Sequence, residues 1–382
     1  MCAVNTGETA ISITSLEKSF ANEQVLKGVD FAVEPSEFCV IVGPSGSGKS
    51  TLLKCIAGLV SFDGGEVLLD GTNVDDLPIE TRNLGYVFQD FEERLFPHMT
   101  VGENVAFGLR HSDLELSQTE IEARIDETLE LLAISETKDS LPSELSGGQQ
   151  QRVELARNLV RECSVMLLDD PLADLDYKLQ KRMELEIRRI HETLQSTFVY
   201  VTHNQDQALK LADKLVVINQ GMVEQIGTPD EVYKNPATAF VGRFIGDTNP
   251  LLSEVVRAEG GTVHVDTPVG DIVATPRDDT PEVGTEVMVL VRPEEITIGP
   301  DAEALDNDLA ATVEGRTYTG ERTEFTVSLD GDVEDFQVVV SGNVPLDAIG
   351  NPTRIGWDAE QGVAFDTLSV VETVTVDDLM EV

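Results

Sequence analysis

The stretch Phe38-Cys39-Val40-Ile41-Val42-Gly43-Pro44-Ser45-Gly46-Ser47-Gly48-Lys49-Ser50 decides the fold. An apolar run ends in GxxxxGKS, a pattern whose glycines let backbone N–H groups curl around the α- and β-phosphates of a nucleotide. In such a loop Lys49 reaches the β/γ-phosphates and the Ser50 hydroxyl coordinates Mg²⁺, with Thr51 completing the cradle. A Gly/Ser-rich turn would explain the composition. It does not explain a full pattern set between an apolar run and a helical pattern, Lys49 to Ala57, that closes at Gly58.

A second phosphate-handling stretch lies further on: Leu145-Ser146-Gly147-Gly148-Gln149-Gln150-Gln151-Arg152 opens a helical pattern that runs to Leu159. Ser146 and two glycine amides then sit at a helix N-terminus, where an anion is favourably bound. One nucleotide does not need two such cradles. Here the chain resembles the ATP-binding subunits of ABC transporters, in which LSGGQ of one protomer closes over the γ-phosphate held by the P-loop of the other. The resemblance implies a homodimer with two composite ATP sites, each using Ser146, Gly147, Gly148 and Gln149 in trans.

Other family stations follow in order. Val165-Met166-Leu167-Leu168-Asp169 reads as a buried parallel strand delivering Asp169 to Mg²⁺, although alone it would pass for an ordinary core strand. Gln89, after Leu84-Gly85-Tyr86-Val87-Phe88, resembles the Q-loop glutamine, which the family uses to touch metal and attacking water. His203, closing Val199-Tyr200-Val201-Thr202, resembles the switch histidine that contacts the γ-phosphate. Asp176, in Asp174-Leu175-Asp176, matches the D-loop residue that crosses the dimer interface. Phe20 stands where the family stacks an aromatic ring on adenine, with core packing as the rival reading.

Two positions depart from the pattern. The general base after the metal-binding aspartate is a glutamate in the family, and here it is Asp170. The arm is one methylene shorter, and displacement by about 1 Å can cost about a hundredfold in rate. Slow hydrolysis is one expectation, a weakly hydrolysing nucleotide switch the other, and a glutamate restored at 170 would be expected to match or raise the rate. Between Gln89 and Leu95 stand Asp90, Phe91, Glu92, Glu93 and Arg94, a longer spacing than the family pattern.

Composition bounds the setting. The formal charge is −43, which argues against nucleic acid as the main partner, since phosphate binding needs Lys/Arg neutralisation. The acids are spread along the chain: residues 248–382 hold 29 Asp/Glu against 6 Arg and no Lys. A chain so charged repels itself at low ionic strength, so the simplest reading is a protein of a salt-rich cytoplasm, a halophile's; the rival is a merely acidic mesophilic one. Cys2, Cys39, Cys55 and Cys163 are scattered, which points to reduced cysteines and neither a disulfide framework nor a metal site. Met1 to Ala10 carries no secretory pattern, and no apolar run approaches the ~18 residues of a membrane helix. Any pore must belong to other chains, and the expected place is the cytoplasmic face of the membrane.

Residues 1–246 alternate strand and helix patterns, which reads as an α/β P-loop NTPase of the ABC cassette type. The resemblance divides it into a RecA-like core, an antiparallel β-subdomain (Ile11–Ser15, Glu66–Leu69) and a helical subdomain around Ile121, Ile125, Leu129 and Leu132. In residues 247–382 helical patterns vanish. Alternation at Val287, Val289, Val291 and at Phe325, Val327, Leu329 reads as an all-β domain. Val291-Arg292-Pro293-Glu294 resembles the OB-like barrels appended to importer ATPases. The resemblance implies an importer with two membrane-spanning permease subunits and an external solute-binding protein. Tyr318-Thr319-Gly320-Glu321 with Gly356-Trp357-Asp358 resembles the polyamine branch, spermidine or putrescine, while iron(III), thiamine, sugars and oxyanions stay open. A soluble ABC ATPase of translation or DNA repair is the alternative of another class.

Overall fold

The computed structural model describes residues 9–21, 23–88, 95–110, 116–161, 163–173, 175–329, 333–344, 352–371 and 374–380. The chain forms two compact units, Met1–Glu231 and Val232–Val382.

In the first unit, β1 (Ile11–Phe20), β2 (Glu23–Val33), β4 (Gly64–Leu69) and β5 (Thr72–Asn73) make an antiparallel sheet in the order β2-β1-β4-β5. A six-stranded sheet combines β3 (Phe38–Val42), β6 (Leu84–Val87), β7 (Val165–Asp169), β8 (Thr197–Thr202), β9 (Lys214–Asn219) and β10 (Met222–Gly227) in the order β10-β9-β3-β8-β7-β6. Its pairs are parallel except the β9–β10 hairpin. Every residue of β3, β7 and β8 is buried, which is why these strands read as unbroken apolar runs. Because β3, β8 and β7 are neighbours running the same way, the segments at their C-terminal ends converge, the usual place for a ligand site in such sheets.

The helices of this unit are α1 (Lys49–Ala57), α2 (Val101–Arg110), α3 (Gln118–Leu131), α4 (Gly147–Leu159), α5 (Tyr177–Leu194) and α6 (Gln205–Leu211). In α3 the buried residues Ile121, Ile125 and Leu129 make one stripe, and Ser117 and Glu120 close a capping box at its start. A single buried cluster joins Ile13, Leu16 and Val29 to Leu52 and Ile56 of α1 and to Leu167 and Val199 of the parallel sheet. The two sheets therefore share one core through α1.

Composition alone shifts at 246/247, whereas the compact units divide within α7 (Pro229–Lys234). The reason is local: in α8 (Ala239–Phe244), Ala239 N–H donates to Thr367 O at 3.1 Å and Phe240 N–H to Leu368 O at 2.8 Å. α8 is thereby tied to the chain's last residues, although its pattern continues that of the preceding ones.

In the second unit β11 (Asn249–Glu259), β12 (Thr262–Thr267), β13 (Gly270–Pro276), β14 (Glu286–Val291) and β20 (Gly362–Phe365) close a barrel in the order β11-β12-β13-β20-β14. Beside it, β15 (Thr297–Ile298), β16 (Asn307–Tyr318), β17 (Arg322–Leu329), β18 (Val333–Ser341) and β19 (Pro352–Trp357) form a sheet in the order β15-β19-β16-β17-β18. Val265, Val289, Val313, Phe325 and Trp357 pack in one cluster that both assemblies share. Helical structure does not vanish after residue 246: α9 (Val376–Met380) is capped by Thr375, whose N–H donates to Asp378 Oδ2 at 2.8 Å. Five residues are too few for a periodic signal.

Candidate nucleotide site

The P-loop spans the gap between β3 and α1. Gly46 and Gly48 take positive φ values of 81° and 96°, a conformation costly for residues with a Cβ, and Gly48 caps α1. Ser45 and Gly46 are exposed at the tip, Pro44 and Thr51 are partly exposed, and Gly43 and Ser47 are buried beneath. The Lys49 ammonium lies inside the loop and donates to Gly43 O at 2.8 Å, Pro44 O at 2.7 Å and Ser47 Oγ at 3.3 Å. Burial pulls its pKa below the usual lysine value, and the nearby charges of Asp170 and Asp169 pull back.

Ser50 Oγ donates to Asp169 Oδ1 at 2.6 Å, while the Tyr86 hydroxyl donates to Asp169 Oδ2 at 2.9 Å. The next residue, Asp170, has φ 44° and donates its N–H to Val201 O at 2.9 Å. Its Oδ2 lies 2.6 Å from His203 Nδ1 and its Oδ1 3.2 Å from Thr202 Oγ1. The one-methylene-shorter arm thus reaches the histidine directly. Asp170 is nearly buried and His203 largely exposed, so the pair runs from the sheet edge out to solvent.

Ser146 and its neighbours form a second group. Ser146 caps α4: its N–H and Oγ lie 3.0 Å from Gln149 Oε1, and Gln149 N–H returns to Ser146 Oγ at 3.4 Å. Gln149 therefore closes a capping box, which leaves the Gly147 and Gly148 amides as the backbone donors of that helix end. A Cβ at Gly148 would come within 2.7 Å of Leu179 Cδ2, so the glycine also lets α4 approach α5. Asp176 caps α5, its Oδ1 accepting the N–H groups of Lys178 and Leu179 at 3.1 Å each. Phe20, 48% exposed at the end of β1, has the Lys18 ammonium 5.1 Å from its ring centroid. Lys18 is itself paired with Asp63 at 3.0 Å.

Hydrogen bonds join Ser50 to Asp169 and Asp170 to His203, with Lys49 electrostatically close to both acids, whereas Gly148 lies against Leu179, whose N–H donates to Asp176. Gln89, Asp174 and the 90–94 segment lie outside the described residues. Tyr86, Thr202 and Asp63 belong to the site's surroundings without standing out in the sequence. Tyr86 gave one usable signal, since a hydroxyl on a strand beside β7 must find a partner once buried. Cys39, Cys55 and Cys163 are buried free thiols, and burial raises the pKa of each.

A P-loop at the C-terminal edge of a parallel sheet, a histidine at the end of the neighbouring strand and two consecutive acids at the end of the strand beyond it define a P-loop nucleotide hydrolase of the ABC class. The ABC transporter family model matches residues 26–173, and a TOBE domain model matches residues 289–365. The chain is 40% identical over 326 residues to the "Spermidine/putrescine import ATP-binding protein PotA" of Aliivibrio fischeri, covering 85% of this chain and 86% of that one. Its namesake in Thermotoga maritima is 40% identical over 323 residues (84% and 87%), and that of a Nostoc species 41% over 340 residues (88% and 88%). Among solved structures, cbiO1 from Clostridium perfringens, part of the ABC transporter complex cbiONQ, superposes with a TM-score of 0.55 at 30% identity. It covers 59% of this chain and 90% of that one. The chain belongs to the family of ABC import ATP-binding proteins; it binds ATP and is an ATPase. A soluble, non-transport ABC ATPase is not favoured.

Proposed function

We propose that this chain hydrolyses ATP to drive import of a polyamine, spermidine or putrescine, as a homodimer on two membrane permease subunits supplied by an external solute-binding protein. The observation that carries the reaction is the convergence of Lys49, Ser50, Asp169, Asp170 and His203 at the ends of three adjacent strands. Lys49 draws the β/γ-phosphates into the loop. Asp170, carrying no hydrogen of its own in the ionised form, accepts a proton from the attacking water, and His203, held by Asp170, orients that water toward the terminal phosphate. The bond to the leaving ADP oxygen breaks as the water oxygen bonds to phosphorus. Phe20 stacks on adenine, and Ser146 with the Gly147 and Gly148 amides completes the partner's site, with Asp176 at the interface.

The residues fit Mg²⁺: a hydroxyl and a carboxylate 2.6 Å apart are hard oxygen donors, and among the described residues no cluster of three acid, His or Cys side chains offers a competing metal site. Ser50, Asp169 and Gln89 would hold the ion, which when bound neutralises charge on the phosphate oxygens.

Among the described residues no helix is long and apolar enough to cross a membrane. In the proposed assembly the permeases would hold the chain at the cytoplasmic face. The polyamine assignment rests on the names of relatives that match along 84–88% of this chain. Iron(III), thiamine, a sugar or an oxyanion would be the other cargo. The test is reconstitution with the permeases and solute-binding protein in vesicles. Spermidine or putrescine, and none of the other classes, is expected to stimulate ATP hydrolysis; stimulation by another class alone would overturn the polyamine reading.

A further inference from the structure

The strand that carries Tyr86 has an open outer edge. Among the described residues β6 ends the parallel sheet, pairing with β7 on one side only, so its other backbone groups need partners from elsewhere. They find them on α4. Tyr86 N–H donates to Asn158 Oδ1 at 3.2 Å and Phe88 N–H to Glu154 Oε1 at 3.3 Å. The spacings match: four helical residues rise about 6 Å and two strand residues about 6.6 Å. Two side chains of one helix thus continue the sheet's hydrogen bonding for two rungs.

Tyr86 is where this ladder meets the metal carboxylate. Its Cα partner on β7 is Leu167, two residues before Asp169 and on the same face of the strand. The phenol spans that offset, and its hydroxyl binds Asp169 Oδ2 while Ser50 holds Oδ1. Asp169 is 5% exposed, and the Phe88 ring, centred 4.4 Å from that of Tyr86, packs against the phenol. One residue therefore touches α4 with its backbone and Asp169 with its side chain. At the far end of α4 stands Ser146.

We propose that Tyr86 is a positioning residue for the metal carboxylate, and that Asn158 makes its placement depend on α4. The inference rests on Asp169 being a Mg²⁺ ligand, as in the proposed function. An outer partner of a ligating carboxylate fixes its orientation, and losing it costs about tenfold or more in metal affinity. Metal-free nucleotide affinity, which depends on the Lys49 cradle, stays the same.

The experiment is equilibrium titration of a fluorescent ATP analogue at a series of Mg²⁺ concentrations, using the full chain and the variants Tyr86→Phe, Asn158→Ala, the double variant and Asp169→Asn. Tyr86→Phe is expected to raise the Mg²⁺ concentration giving half-maximal gain in affinity by about tenfold, with unchanged metal-free binding. Asn158→Ala should move it in the same direction, and the double variant should add less than the sum. A Tyr86→Phe curve that overlays the parent's would overturn the role of Tyr86, and an additive double variant would overturn its link to α4. Should Asp169→Asn also leave the Mg²⁺ dependence unchanged, the metal site itself has been misplaced, an outcome distinct from either.

Discussion

His203 Nδ1 lies 2.6 Å from Asp170 Oδ2, with Thr202 Oγ1 3.2 Å from the other carboxylate oxygen. Asp170 is thereby anchored at both oxygens by the strand that carries the histidine. The short arm is part of the fit, since a longer one would have to displace the imidazole.

Asp170→Asn should keep ATP binding and reduce turnover by about 10²–10⁴-fold, the usual contribution of a positioned base. Nucleotide binding and steady-state phosphate release on the same preparation measure both. Asp170→Glu should also lose turnover. From the sequence a longer acid is expected to match or raise the rate, but the direct contact with His203 reverses that expectation, because about 1 Å of misplacement is enough to cost a hundredfold. A Glu variant as fast as the parent would show that the pair gives way freely.

Lys49→Ala should weaken ATP binding by about tenfold to a hundredfold, the loss expected when hydrogen bonds from a charged donor are removed. The same three acceptors that surround the ammonium, Gly43 O, Pro44 O and Ser47 Oγ, are left partly unpaired. Isothermal titration would measure the affinity, and circular dichroism would confirm the fold. Binding at the parent's strength would remove Lys49 from the cradle.

Ser146→Arg should leave ATP binding by the monomer intact and abolish ATP-dependent dimerisation. Losing the cap of α4 costs about 1 kcal/mol, too little to unfold a domain. Light scattering with Mg-ATP, in a background that does not hydrolyse it, would follow the dimer. Normal dimerisation would mean that the serine's work is confined to capping.

His191 should make stability fall with acid. It is buried between Phe38 and Phe198, with ring centroids 5.0 and 5.1 Å away, and burial lowers its pKa from 6.5. Asp213 acts against this shift and Arg188 with it. Below pH 6.5 the unfolded chain binds the proton more readily than the folded one, so the neutral ring's contribution is complete above 6.5 and is lost as pH falls through the folded pKa. The melting temperature of the parent should therefore drop further between pH 7.5 and about 5.5 than that of His191→Phe. Parallel curves would show that the imidazole finds its proton's partner inside.

The P-loop, the strand carrying Asp169, the limits of α1 and the N-terminus of α4 were legible in the sequence because each is a local pattern: an unbroken apolar run, a glycine with positive φ, a capping serine. Asp170 beside His203 was legible as residues and not as a contact, since 33 positions separate them and only the β7–β8 pairing brings them together. Tyr86 on Asp169 and Asn158 on Tyr86 bridge 83 and 72 positions. No spacing rule reaches that far. The second sheet beside the barrel was hidden for a related reason: β17 alternates just as the barrel strand β12 does, and closure depends on pairing order, with β20 returning to β13 and β14.

Salt should stabilise this protein, an expectation that follows from charge and is independent of the family. The chain carries a formal −43 with only 10 Lys among 27 basic residues. Surface pairs such as Lys210–Asp206 and Arg188–Glu192 contribute little each against so large an excess of acids. Repulsion among them is long-ranged when the Debye length is about 10 Å, at 0.1 M salt, and is nearly confined to contact at about 3 Å, at 1 M. The unfolded chain spreads the same charges apart, so screening favours the folded state more. The unfolding midpoint should rise by roughly 5 °C or more between 0.1 M and molar KCl. ATPase activity should rise with it, because closing a dimer brings two acidic bodies together. Thermal unfolding and phosphate release across one KCl series would measure both, and a midpoint that stayed flat or fell would sink the salt-rich-cytoplasm reading while leaving the ATPase assignment in place.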